Sequence, residues 1–172
     1  MLARWLGLWF AVCVAQGIAC ASEPSSWPRP SQAAYTAKVT RVFDGDTVTL
    51  SRDQALRIKA RIIGIDAPEL CQTLGRESGQ FLKDTILNAT VGVQPFGRDK
   101  YGRELVVLWH QNQDVGAQMV EQGLAWAYVW KGQPSVYIAL EQKARQANRG
   151  VFKAEAPEHP RAFRKRHGPC FR

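Results

Sequence analysis

The stretch YTAKVTRVFDGDTVTLSRDQALRIKARIIGIDAPE, residues 35–69, contains three strand-like segments separated by turn signals. The first, Tyr35 to Phe43, is rich in β-branched and aromatic residues, which favour strands. Asp44-Gly45 is a typical hairpin turn, and the alternating segment from Asp46 to Ser51 follows it. The third segment runs from Leu56 to Ile65. Three consecutive strands of this kind predict a meander.

Downstream of this stretch the apolar periodicity becomes helical, returns to strand-like and becomes helical again. Helical spacing begins near Glu77, at Asp114 and after Ser135. Between the first two helices, Val91–Phe96 and Glu104–His110 predict two further strands. Three strands, a helix, two strands and two helices are typical of one α+β, mainly β architecture. We therefore predict a five-stranded OB-type barrel with three helices.

Residues 1–21 have the layout of a secretory signal peptide, with one positive charge, an apolar run and the small-residue end Ala19-Cys20-Ala21. The apolar run is too short for a spanning helix, so we expect no transmembrane anchor in the mature chain. The alternatives are a retained membrane anchor, or cleavage before Cys20 with attachment of a lipid. The Pro- and Ser-rich residues 22–34 predict a flexible lead-in. The predicted location is secreted or periplasmic.

The rest of the chain predicts one domain, residues 35–155, and a basic C-terminal tail, residues 156–172. The last twelve residues contain five basic side chains and no acid, out of a net charge of +8. Such a tail either attracts polyanions or is simply solvated. Two of the four cysteines lie in the predicted signal, which leaves Cys71 and Cys170. In an exported protein these two either form a disulfide or remain free thiols.

Asp46, just after the hairpin turn, and Asp66, at the end of the third strand, are candidate metal ligands. Hard cations such as calcium prefer oxygen ligands, and two carboxylates with a backbone carbonyl and waters make an open site. Ala67 offers only its carbonyl, which the following proline holds in an extended conformation. The structural alternative is that each aspartate caps the backbone of its own turn.

Glu69 is a candidate to orient or deprotonate a water molecule. Arg61 and Arg103 are candidates to hold a phosphate. Each could instead be an ordinary surface residue. Arg61 and Asp66 are five residues apart, so an ideal strand would place them on opposite faces. They can share one site if the strand bends, and Gly64 is the natural place for that bend.

Lys100, Tyr101 and Tyr128 lie near these blocks in the sequence and are candidates for substrate binding. Aromatic rings can stack on nucleic acid bases without reading their sequence, and a lysine adds positive charge. The alternative for the two tyrosines is packing in the core or at its rim.

From Lys38 to Phe152 the chain resembles the staphylococcal nuclease family. The resemblance rests on the blocks FDGDTVTL, RIIGIDAPE, DKYGREL and EQGLAWAYVW, in this order. It implies that Asp46, Asp66 and the Ala67 carbonyl bind calcium. It also implies that Glu69 activates water, and that Arg61 and Arg103 hold the phosphate. Lys100, Tyr101 and Tyr128 match positions that line the nucleotide pocket.

By this resemblance the protein is a calcium-dependent endonuclease, a phosphodiester hydrolase that cuts DNA and RNA and leaves 3′-phosphate ends. Single-stranded nucleic acid is the expected partner, and we expect a monomer without a stable protein partner. The chain departs from the family at Ala67, where a threonine is usual, in a shorter segment after Glu69, and in its cysteine-bearing C-terminus. The alternatives are a catalytically inactive module that only binds nucleic acid, and an OB module for a sugar or protein.

Overall fold

The computed structural model describes residue 27 and residues 33–53, 56–129, 135–168 and 170. The predicted signal peptide and most of the lead-in lie outside these residues. Among the described residues, no helix has the length and apolar character needed to cross a membrane.

Five long strands form a closed barrel, as predicted. The meander of β1 to β3 is present, and β5 and β6 pair antiparallel with each other. The barrel closes because β3 also pairs with β6, in parallel, with Ala60 opposite Glu104. The long strands are β1 (Tyr35–Val42), β2 (Thr47–Arg52), β3 (Leu56–Ile62), β5 (Thr90–Arg98) and β6 (Glu104–His110), and the short ones are β4 (Ile65–Asp66), β7 (Gln113–Asp114) and β8 (Trp126–Ala127).

In the part of the chain that the structure describes, four α-helices accompany the barrel, one more than the sequence predicts. The three expected helices are α1 (Gly75–Ile86), α2 (Val115–Glu121) and α3 (Ile138–Gln146). A 3-10 turn at Gly150–Lys153 follows α3. The additional helix, α4 (Pro160–His167), occupies the segment for which composition alone indicates a basic tail.

The short helix α4 has recognisable local signals, which the basic composition obscures. Pro160 stands at the start of the helix, where its missing N–H costs nothing, and the His159 side chain accepts a hydrogen bond from the Arg161 amide. Phe163 is buried, while the basic residues face outward or toward the barrel. An apolar anchor on one face therefore turns a basic segment into a docked helix.

The barrel interior is apolar, and two helices cover its end. Inward-facing residues of all five strands are fully buried, and Leu82 and Ile86 of α1 and Met119 of α2 pack against them. The central barrel residues include Val39, Leu50, Ile62, Val93 and Leu108. This core fixes the strand ends on which the candidate site residues lie.

Strand β3 ends at a sharp break at Gly64, as the spacing of Arg61 and Asp66 requires. Gly64 has φ +76°, a left-handed conformation that glycine adopts without steric cost. The chain then re-enters a strand as β4, which pairs with β8 rather than continuing the barrel. The carbonyl of Gly64 accepts hydrogen bonds from the Tyr128 amide (2.8 Å) and the Ser135 hydroxyl (2.7 Å).

Candidate active site

Arg61 lies between the two predicted metal ligands and contacts both. Its Nη1 is 2.5 Å from Asp46 Oδ1, and its Nη2 is 2.9 Å from Asp66 Oδ1. Both carboxylates are buried, while Arg61 is partly exposed toward a cavity. The turn between β1 and β2 spans residues 43–46, so Asp46 is the last turn residue rather than the first strand residue. The break at Gly64 lies between Arg61 and Asp66 in the chain, and it allows these two side chains to meet.

Asp46 is held in place by its surroundings on both carboxylate oxygens. Oδ1 also accepts from the Thr47 hydroxyl at 2.9 Å, and Oδ2 accepts from the Ala67 amide at 2.9 Å. Burial raises the pKa of Asp46 to about 8, and the nearby Asp44 and Asp66 carboxylates act in the same direction against the attraction of Arg61. Extra positive charge at this carboxylate would therefore be favourable.

Glu69 lies beside Asp66, and an arginine that the sequence did not predict joins them. Arg164 of α4 places its Nη1 2.9 Å from Glu69 Oε1 and 3.1 Å from Asp66 Oδ1, and its Nη2 3.0 Å from Asp66 Oδ2. Burial alone would lower the pKa of Arg164, but the Asp66 and Glu69 carboxylates outweigh it and raise this pKa above its ordinary value. Arg164 is 95 residues from Glu69 in the chain, so no local motif connects them.

Arg103 is fixed by the turn that precedes β6. Asp99 accepts from Arg103 Nε at 2.7 Å, and its other oxygen accepts from the amides of Arg103 (3.0 Å) and Tyr101 (2.9 Å). These contacts lower the pKa of Asp99, although partial burial acts in the opposite direction. Asp99 is therefore a positioning residue that sequence reasoning missed, and its i, i+4 spacing from Arg103 was the available signal.

One cavity of about 700 Å³ connects these groups. Its lining includes seven of the predicted site residues and one that was not predicted: Arg61, Asp66, Glu69, Lys100, Tyr101, Arg103, Tyr128 and Arg164. Tyr101 is 73% exposed and Tyr128 is 36% exposed, so both rings lie at the rim rather than in the core. The Lys100 ammonium lies 5.1 Å from the Tyr101 ring centroid. Asp46 and Ala67 are buried beside the cavity rather than among its lining residues.

The donors in this region suit a hard cation, although they form only a partial cage. Within the described part of the chain, no group of three or more His, Cys, Asp or Glu side chains is arranged to hold a metal ion. The candidate donors are the carboxylate oxygens of Asp46 and Asp66. In this structure both carboxylates accept from Arg61, and Asp66 also accepts from Arg164. Oxygen-only donors with room for water are the kind of site that Ca²⁺ and Mg²⁺ occupy. Ala67 contacts Asp46 through its amide, whereas its carbonyl is the predicted ligand.

The loop that carries Glu69 is connected to α4 by a covalent bond. Cys71 and Cys170 form a disulfide, which the sequence left open as one of two alternatives. Gln72 adds a second connection: its side-chain oxygen accepts from the Glu69 amide at 3.1 Å, and its Nε2 donates to the Glu158 carbonyl at 2.6 Å. The loop and the helix therefore form one connected unit beside the cavity.

Comparison with known proteins identifies the family of this chain. Residues 59–154 match the family model described as staphylococcal nuclease homologue. The chain is 33% identical over 135 residues to an uncharacterized endonuclease of Haemophilus influenzae, an alignment that covers 78% of this chain and 76% of that protein. An uncharacterized endonuclease of Escherichia coli O157:H7 is 36% identical over 142 residues, with coverages of 82% and 92%.

A micrococcal nuclease of Shigella flexneri is 32% identical over 148 residues, covering 79% of this chain and 84% of the relative. Nucleases of this family are generally metal-dependent. The matched range contains Arg61, Asp66, Glu69 and Arg103, and it ends before α4. The family match, the closed barrel and the grouped carboxylates and arginines lead to one conclusion: the chain belongs to the staphylococcal nuclease family.

Proposed function

We propose that the protein is an exported, calcium-dependent endonuclease that cuts DNA and RNA and leaves 3′-phosphate ends. Its class, a phosphodiester hydrolase that acts on nucleic acid, follows from its family. One observation supports cleavage at this site: Arg61 joins Asp46 to Asp66, Glu69 lies next to them, and Arg103 lines the same cavity. This grouping can bind a phosphate and activate a water molecule in one place.

The side chains divide the reaction between them. Glu69 accepts a proton from the water whose oxygen attacks phosphorus. The bond from phosphorus to the 5′ oxygen breaks, and that oxygen takes up a proton from solvent and leaves as a 5′-hydroxyl. Arg61 and Arg103 donate hydrogen bonds to the phosphate oxygens, whose negative charge increases in the transition state. Asp46 and Asp66, with the Ala67 carbonyl, would hold the cation. When bound, a divalent cation neutralises the phosphate and orients it for in-line attack.

The rim of the cavity suits single-stranded substrates of either sugar type. Tyr101 and Tyr128 are exposed aromatic rings, and a base that has left its stack can lie against such a ring. Lys100, beside Tyr101, supplies charge for the phosphate backbone. Stacking and charge do not distinguish base sequence, and they favour frayed or denatured stretches over intact duplex.

Export is proposed from the sequence and is consistent with one structural feature. The signal-like residues 1–21 direct a chain out of the cytoplasm, and the Cys71–Cys170 disulfide is of a kind that persists in oxidising compartments. Secretion and a periplasmic location are both compatible with this.

The test is cleavage of denatured DNA by purified protein, with calcium and then with a chelator. We expect cleavage with calcium and none with the chelator. With a strand that carries a fluorophore at its 5′ end, phosphatase treatment should change the gel mobility of the labelled product only if it ends in 3′-phosphate. Arg103→Ala should lower kcat/KM by about 100- to 1,000-fold, the usual effect of removing a transition-state donor. Arg57→Ala is the matched control, because Arg57 lies on the same strand as Arg61 but is exposed and outside the cavity.

The main alternative is a member of the family that binds nucleic acid without cutting it. Retention of denatured DNA with no calcium-dependent cleavage would support that alternative and reject the enzymatic proposal. Loss of cleavage in Arg103→Ala, with unchanged thermal unfolding and normal activity of Arg57→Ala, would support the proposed site.

A further inference from the structure

Helix α4 brings a third arginine to the site, from outside the range that matches the family model. Arg164 is 38% exposed, and three of its N–H···O contacts are directed to the carboxylates of Asp66 and Glu69. Its guanidinium holds both oxygens of Asp66 and one oxygen of Glu69 at the same time. A planar guanidinium can satisfy two carboxylates in this way, whereas a lysine ammonium acts as a single point of charge.

Arg164 bridges two carboxylates that would otherwise repel each other. Asp66 and Glu69 both face Arg164 Nη1, at 3.1 and 2.9 Å. Because the two carboxylates share one nitrogen, they are neighbours, and without the arginine their repulsion favours rotation of the more exposed group away from the other. Glu69 is 26% exposed and Asp66 is 1% exposed, so Glu69 is the side chain free to move.

Helix α4 is held against the Glu69 loop from both of its ends. Before the helix, the Glu158 carbonyl accepts from Gln72, whose oxygen also binds the Glu69 amide. After the helix, Cys170 is bonded to Cys71, two residues beyond Glu69. Within the helix, buried Phe163 stacks on His167 at a centroid distance of 4.8 Å. Arg164 therefore belongs to a docked and covalently fastened element.

We propose that Arg164 is a positioning residue of the nuclease site, which orients Glu69 and Asp66, and that the Cys71–Cys170 disulfide holds Arg164 in that position. The proposal rests on the nuclease function proposed above. In this role Arg164 acts through the general base and a metal ligand and has no direct part in bond cleavage. Its loss should lower turnover rather than substrate binding.

Arg164→Ala is the central variant, with steady-state kinetics on a short single-stranded oligonucleotide as the measurement. Loss of a partner that orients a catalytic or ligand group typically costs about 10- to 100-fold in activity. We expect kcat to fall by this factor and KM to stay within about twofold. Arg164→Lys should recover part of kcat, because it keeps the charge but not the two-carboxylate geometry. Lys165→Ala removes the same charge from the same helix and should stay close to wild type.

The role of the disulfide is tested by a double-mutant cycle. Replacing both cysteines by serine should lower kcat in the wild-type background but add little in the Arg164→Ala background, because the two changes then remove the same restraint. Equal additional losses in both backgrounds would show that the disulfide does not act through Arg164, and would overturn that part of the proposal.

Other outcomes overturn the positioning role itself. Equal or higher kcat in Arg164→Ala would show that the contact is neutral or inhibitory. A raised KM with unchanged kcat would assign Arg164 to direct phosphate binding. If wild-type protein cuts no nucleic acid, the nuclease proposal fails, and hydrogen exchange decides about Arg164 independently. Arg164→Ala should then speed exchange in the 67–74 segment, and unchanged exchange there would reject the positioning role.

Discussion

Gly64→Ala should destabilise the protein more than its left-handed backbone alone requires. A Cβ at position 64 would lie 2.9 Å from Tyr137 Cε2 and 3.3 Å from Cδ2. The Tyr137 ring cannot move aside easily, because it is fully buried and its hydroxyl donates to the Asp114 carboxylate at 2.9 to 3.0 Å. The substitution therefore combines a backbone cost with a steric one.

The two costs can be estimated separately. A non-glycine residue in the left-handed region costs roughly 1–2 kcal/mol. Overpacking against an immobile neighbour adds about 1–3 kcal/mol. Gly102→Ala is the matched control, because Gly102 has φ +79°, close to the +76° of Gly64, and open space around its missing Cβ. We expect a total loss of about 2–5 kcal/mol for Gly64→Ala and about 1–2 kcal/mol for Gly102→Ala.

Urea unfolding of the two variants measures both free energies of unfolding, provided that the slope with denaturant does not change. Equal losses in the two variants would refute the steric argument. Cleavage should also fall in folded Gly64→Ala, because the Gly64 carbonyl accepts the Tyr128 amide and the break at this residue sets the distance from Arg61 to Asp66. Normal cleavage would show that the break does not control the site.

Three further predictions concern the turn, the pH dependence and the disulfide. Asp99→Ala should release Arg103 and lower kcat/KM by about 10- to 100-fold, which is a smaller fall than that expected for Arg103→Ala. The control measurement is the unfolding of the variant, which should be unchanged. Because burial raises the pKa of Asp46 from 3.8 to about 8, the folded protein keeps a proton that the unfolded chain releases between these values. The free energy of unfolding should therefore fall as pH rises through this window. Asp46→Asn should make this fall smaller in denaturant titrations with a chelator present. If the free energy of unfolding falls with pH equally in the variant and in wild type, the prediction is wrong. Replacing Cys71 and Cys170 by serine should lower the free energy of unfolding by about 4–5 kcal/mol in the chain-entropy model. A urea midpoint equal to that of the wild-type protein would reject this prediction.

The barrel was predictable from the sequence because its signals are local. Asp44-Gly45, the alternation in β2 and the spacing of β5 and β6 each depend on residues close together in the chain. Gly64 was predictable for a different reason: Arg61 and Asp66 could share a site only if the strand between them broke. The structure contains that break.

Arg164 could not be predicted, because its position depends on long-range packing. By charge, the run Arg164-Lys165-Arg166 indicates a tail that attracts polyanions or is solvated. The burial of Phe163, the bond to Cys170 and the contact of Gln72 with Glu158 explain why it docks. Contacts between residues 95 or more positions apart leave no periodic signal in a single sequence. The helix count was wrong for another reason: the basic composition obscured the local signals of α4, which are Pro160 and the cap at His159.

The parallel contact between β3 and β6 has a consequence for the order of folding. The meander joins strands that are neighbours in the chain, so its loops are short and close at a small entropic cost. The pairing of Ala60 with Glu104 must wait until α1 and β5, which lie between them, have collapsed onto the meander. We therefore expect a refolding chain to bring Asp46 and Arg61 together before Arg103 reaches them. Cleavage should be among the last signals to recover, after most of the sheet has formed.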